Sequence, residues 1–198
     1  MRNGSGIRAI RASSLVGCLA ARLALLVGLF AVSWVAAPCR AASGPEIDAW
    51  AQSTLGEFLN KVGFSGPLAN RAVAILVFPT VVKAGFGIGA EYGEGALQIR
   101  GQPAGYYNII SGSIGFQLGA QARSVIIMFM TEPALAQFQA TDGWKVGIDG
   151  SMTILAIGAG GAIDTNIITS PIVGFIFDQK GLMYNLTLEG SKISRIDR

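Results

Sequence analysis

The apolar positions from 47 to 59 repeat at helical spacing: Ile47, Trp50, Ala51, Thr54, Leu55, Phe58 and Leu59 fall on one side. Asp48, Gln52 and Ser53 take the other side. Ser43 and Glu46 stand at capping-box spacing, with Pro45 in the first turn, so a helix starts here. Its acidic polar side suits a helix that covers a sheet better than one lying on a membrane, where the polar side is usually rich in Lys and Arg. Residues 63–70, with an internal Gly-Pro, read as a break. Beyond it the period changes to that of strands. Residues 72–78 are continuously apolar, which predicts a strand buried on both faces and ended by Pro79. Strands are also predicted over 84–92, 96–100, 106–118, 124–130, 146–157 and 172–177. The last, 182–188, alternates cleanly and follows a Lys180-Gly181 turn. Thr131, with Pro133, Leu135 and Phe138, predicts one short helix among the strands.

The 83–95 stretch has its own pattern. Gly85, Gly87, Gly89, Gly93 and Gly95 share one strand phase, and Phe86, Ile88, Ala90, Tyr92 and Glu94 share the other. Glycine weakens a strand, so five in register imply close backbone approach or sharp curvature. Seven or more strands with short connections predict an α+β fold. Its strongly curved or closed antiparallel sheet is covered by an N-terminal helix and one short inserted helix.

Charge divides the chain. Of 15 basic residues, Arg2, Arg8, Arg11, Arg22 and Arg40 precede the first acid, Glu46. From Ser43 onward ten basic residues face twelve acidic ones, so the formal +3 of the whole chain becomes −2 and a basic nucleic-acid binder is not indicated. The arginines precede an apolar run at 23–37 and small residues at 41–42, the order of a secretory signal peptide over 1–42, with a single domain over 43–198. The run is short of a spanning helix, although an uncleaved anchor is the alternative. Cys39 is the candidate lipidation site, but Ala36-Ala37-Pro38 before it lacks the large aliphatic of a lipobox. Cleavage after Ala41 or Ala42 leaves no cysteine, hence no disulfide or thiolate metal site.

The inventory excludes most chemistry. The chain has no histidine, so Ser-His and Cys-His couples are absent, and no Asp-rich calcium loop is present. Gly87-Ile-Gly89 resembles the start of a dinucleotide loop, but Gly93-Glu-Gly95 is poor helix material and Glu91 and Glu94 would repel phosphate. An outer-membrane barrel needs alternating strands, and 73–78 and 125–130 do not alternate. The expectation is no catalysis, no cofactor and no metal.

The motifs point to a family. Ala72-Val-Ala-Ile-Leu-Val-Phe-Pro79 followed by Val82-Lys-Ala-Gly-Phe-Gly87 resembles the opening of the SYLF domain. Ser111-Gly-Ser-Ile-Gly115, Val125-Ile-Ile127, Lys180-Gly-Leu182 and Leu188-Glu-Gly-Ser191 continue the resemblance, which spans about 55–193. It implies a phospholipid-binding module. Lys83 matches the family lysine, whereas the acidic N-terminal helix departs from the basic amphipathic segment to which lipid binding is attributed. Actin binding, known for some members, does not carry over to an exported chain. The expected function is an exported module of the periplasm or cell envelope that binds anionic phospholipid head groups at a membrane surface, and does not bind nucleic acid. Lys83 leads the expected site, with Arg71, Lys145 and Lys180 as helpers and Phe86, Tyr106, Tyr107 or Trp144 at the acyl boundary. The alternative is a structural or scaffold envelope protein that binds a protein partner.

Overall fold

The structure is a computed structural model that describes residues 41–157, 169–181, 188 and 190–198. The expected signal peptide, Cys39 and most of the 182–188 strand lie outside the described residues. The chain divides into two compact units, Met1–Ala41 and Ala42–Arg198, and the described helices and strands all belong to the second.

The first helix, α1, runs Gly44–Lys61. Glu46 accepts hydrogen bonds from Ser43 N–H (2.8 Å) and Ser43 Oγ (2.7 Å), which holds its first turn. The expected break contains a second helix, α2, at Ser65–Arg71. Pro67 does not prevent it, because the first helical residues have no intrahelical N–H partner to lose. The third helix, α3, runs Glu132–Ala140, and Thr131 Oγ1 accepts from Ala134 N–H at 3.4 Å.

Two long strands dominate, β1 at Ala74–Ile99 and β2 at Gln102–Phe129. They form one antiparallel hairpin whose two-residue turn is Arg100-Gly101, both at positive φ (53° and 77°). The five strands expected between 72 and 130 are thus arms of one hairpin, bulged at 78/81 and at 86/88. Among the described residues four shorter strands join the sheet: β3 (Trp144–Lys145), β4 (Thr153–Ala156), β5 (Ile172–Gly181) and β6 (Lys192–Ile196). Their order is β3-β6-β2-β5-β4, with β1 on β2, in a curled half-barrel. Among the described strands all pairs are antiparallel except β4 with β5, so the sheet is mixed. The expected 146–157 strand is broken by a turn in which Gly147 has φ 81° and Lys145 N–H donates to Asp149 Oδ2 at 2.6 Å.

The sheet is buried on both faces at its centre. On the inner face Leu76, Phe78, Val125, Ile127 and Phe129 pack with α3 and with Trp144 and Ile193. Phe138 of α3 stacks against Phe129, Tyr107 and Trp144 at centroid distances of 4.8, 5.0 and 5.6 Å. On the outer face Val77, Ile126, Met128 and Phe175 pack under Ile47, Ala51 and Phe58 of α1.

The glycine-rich stretch marks where the hairpin folds back on itself. A Cβ on Gly85 would stand 2.5 Å from Gly89 Cα, and one on Gly93 would stand 2.8 Å from Thr80 O. A Cβ on Gly95 would strike Val77 O and lie 2.7 Å from Phe78 Cδ1. Glycine lets the two arms of β1 touch backbone to backbone, which is the curvature its phase implies.

Candidate membrane-facing surface

The fold-back fixes what each phase of 81–95 meets. The bulge at Pro79-Thr80 turns Val81, Lys83, Glu91, Gly93 and Gly95 inward and leaves Val82, Ala84, Phe86, Ile88, Ala90 and Tyr92 outward. The helix α1 covers this outer face only as far as Val77 and Ala96. Past it, the bend of the hairpin is bare. Phe86 is 82% exposed, Ile88 72%, and Val82, Tyr92 and Ile110 about half. Single exposed apolar residues are ordinary, but five adjoining ones on one face call for a role.

Cross-strand register places cations beside these residues. Tyr92 pairs with Ile110, Ile110 with Lys192, and Lys192 with Lys145, so the four stand in one row across β1, β2, β6 and β3. All four are exposed on the face that carries Phe86 and Ile88. Like charges directly opposite, as in Lys145 and Lys192, repel unless something anionic lies over them. A second row joins Val82, Ala122 and Lys180, whose Nζ lies 3.0 Å from Asp178 Oδ2.

Two grooves border the patch. One, of about 370 Å³, lies between α1 and β1 and is lined by Ile47, Trp50, Ser53, Thr54, Pro79, Thr80 and Glu94. The other, of about 310 Å³, runs along β1 past Val82, Ala84, Ala90 and Tyr92 and shares Thr80 and Glu94 with the first. Glu94 accepts from Tyr92 Oη at 2.5 Å and from the Arg198 guanidinium. Burial pushes the Glu94 carboxyl up, but the Arg198 hydrogen bond, then the Tyr92 hydroxyl and the Arg198 charge, outweigh it and hold it below the ordinary range. Burial, followed by the Glu94 hydrogen bond, raises the Tyr92 hydroxyl.

The expected site residues are distributed unevenly. Phe86, Lys145 and Lys180 reach the outer surface. Lys83 does not: it shares the glycine phase, faces inward and is 6% exposed. It stands near the buried ion pair in which Arg123 Nη2 meets Glu91 Oε1 at 2.6 Å. Arg71 is exposed at the end of α2, and the run of β1 from Ala74 to Val82 alone spans roughly 25 Å of extended chain. Of the aromatic residues, Trp144 and Tyr107 are core, and Tyr106 Oη donates to Asp48 Oδ2 of α1 at 2.8 Å, so none of the three belongs to the exposed apolar patch. Lys192, Ile88, Tyr92 and Ile110 were missed. The register that follows from the Arg100-Gly101 turn is the signal that could have found Ile110 opposite Tyr92.

Among the described residues no helix is long and apolar enough to cross a membrane, and no three His, Cys, Asp or Glu side chains cluster. No curated protein matches the chain. Residues 110–197 match the family model described as Ysc84, Las17-binding protein actin regulator. That stretch contains the Ser111-Gly-Ser-Ile-Gly115 and Leu188-Glu-Gly-Ser191 motifs, so over residues 110–197 the match to the Ysc84 (SYLF) model agrees with the SYLF resemblance.

Proposed function

We propose that this chain is an exported, non-catalytic module that docks on anionic phospholipid surfaces through the bare bend of the β1–β2 hairpin. The observation that carries this reading is the exposure of Phe86 and Ile88 at the bend, with Lys145 and Lys192 in the row that begins at Tyr92. Apolar tips enter the acyl boundary while the lysines meet lipid phosphates, each worth about 1 kcal/mol near an anionic surface. The −2 balance after Ser43 makes this attraction local and sensitive to salt. The family description names Las17 binding and actin regulation. The signal-like N-terminus argues against carrying an actin role over to this chain.

The test is flotation of the chain with vesicles of phosphatidylglycerol and phosphatidylcholine. Phe86→Ser with Ile88→Ser removes about 3 kcal/mol of apolar burial, roughly a hundredfold in partitioning, without touching the core. Lys145→Glu with Lys192→Glu weakens binding most at low salt. Unchanged flotation of the Phe86/Ile88 variant would refute the reading and favour a scaffold that uses the same patch for a protein.

A further inference from the structure

One carboxylate stands on the outer face beside the exposed bend. Glu94 shares the strand phase of Tyr92 and lines both grooves that border the patch. A free carboxylate there would oppose docking twice. Lipid phosphates would repel it, and stripping its water is costly unless a partner compensates. In the fold it is not free. The Arg198 guanidinium straddles it, with Nη2 on Oε1 and Nε 3.4 Å from Oε2, and Tyr92 Oη donates to Oε1 at 2.5 Å. The Glu94 side chain is 16% exposed and that of Arg198 22%.

This partner comes from a strand that is not a neighbour of β1. Tyr106 of β2 pairs with Ala96 on one side and with Ile196 on the other, so β2 lies between β1 and β6. Arg198, two residues past Ile196, reaches across β2 to Glu94. A pair this close to the surface adds modestly to folding. Its larger effect is on the surface itself, where a charged rim becomes a neutral one whose acceptors are already filled. We propose that Arg198 is a positioning residue of the docking surface: it seals Glu94, so that the rim between Tyr92 and α1 can lose water against a membrane. This role rests on docking through the Phe86/Ile88 bend.

The experiment floats the full chain, Arg198→Gln and Arg198→Gln with Glu94→Gln on vesicles of phosphatidylglycerol and phosphatidylcholine. Each is measured at low salt and at about 1 M salt, where the Debye length is about 3 Å. Urea unfolding of the same three proteins follows the fold. Arg198→Gln should partition at least about tenfold more weakly, because docking must then dehydrate an unpaired carboxylate. The loss should persist at high salt, and adding Glu94→Gln should restore partitioning to within about twofold. A mere loss of one surface cation predicts something else: about a fivefold loss at low salt that vanishes at high salt. That outcome would overturn the proposal. So would a loss that Glu94→Gln does not restore, or an Arg198→Gln chain that no longer folds, since the pair would then hold the fold and not the surface. If the unaltered chain floats with neither salt, docking itself fails and this role with it. If it floats, and depends on Phe86 and Ile88 but not on Arg198, docking stands and only the role of Arg198 falls.

Discussion

Replacing Gly95 with alanine tests the fold-back directly. Gly95 pairs with Tyr107 and faces inward, where a Cβ would strike Val77 O and stand 2.7 Å from Phe78 Cδ1 and 2.9 Å from Val77 C. Neither neighbour can yield cheaply. Val77 is backbone held in register with Ile126, and Phe78 is fully buried in the inner core. Relief requires lifting one arm of β1 from the other. Overpacking of this kind costs about 1–3 kcal/mol, and a backbone obstacle puts it at the upper end. Alanine returns roughly 0.4–1 kcal/mol by restricting the unfolded chain. The net loss is about 2 kcal/mol, or roughly 4–8 °C in Tm for a unit of this size. Gly112 supplies the control: it lies in the same hairpin, opposite Ala90, with nothing within 4 Å of an added Cβ. Gly112→Ala should change stability by less than about 1 kcal/mol. Urea unfolding followed by the fluorescence of buried Trp144 reads both variants. Equal effects at 95 and 112, or none at 95, would refute the argument that backbone contact is why glycine stands there.

Two further predictions concern charges. Arg123→Met strands the Glu91 carboxylate in the interior and should cost about 3–5 kcal/mol in urea unfolding, with much of it recovered by adding Glu91→Met. Glu94 has a lowered native pKa, so its pairing with Arg198 and Tyr92 contributes fully above the ordinary glutamate pKa of about 4.3 and fades as pH falls through the lowered value. The melting temperature should therefore fall more steeply below that range in the unaltered chain than in Glu94→Gln, and parallel curves would count against it.

Much of the fold was legible because its signals are local. The Ser43/Glu46 spacing located α1, Thr131 with Pro133 located α3, and the unbroken apolar runs at 72–78 and 124–130 foretold a sheet covered on both faces. The glycine phase foretold close backbone approach. What was not legible is non-local. Nothing near residue 86 says that 93 and 95 return over 77 and 81, and nothing near 154 says that its neighbour at 174 runs parallel. The helix α2 was missed for a different reason: Gly66-Pro67 is a breaker inside a helix but neutral in a first turn.

The candidate site shows how strand phase decides between surface and interior. Lys83 is two residues from Gly85 and shares its phase, so whatever makes the glycine face crowded also encloses the lysine. Reading the glycines as a contact face and Lys83 as a surface cation are therefore incompatible statements about one side of one strand. Phe86 and Ile88 belong to the other phase, and the same fold-back that hides Lys83 pushes them outward. Bending the hairpin thus does two things at once. It gathers Lys83, Gln121, Arg123 and Glu91 into the interior, and it raises an apolar bend beyond the cover of α1. Phe86→Ser with Ile88→Ser should leave the urea unfolding midpoint intact while reducing vesicle binding, so a loss of both in the Phe86/Ile88 variant would mean that the two faces are not independent.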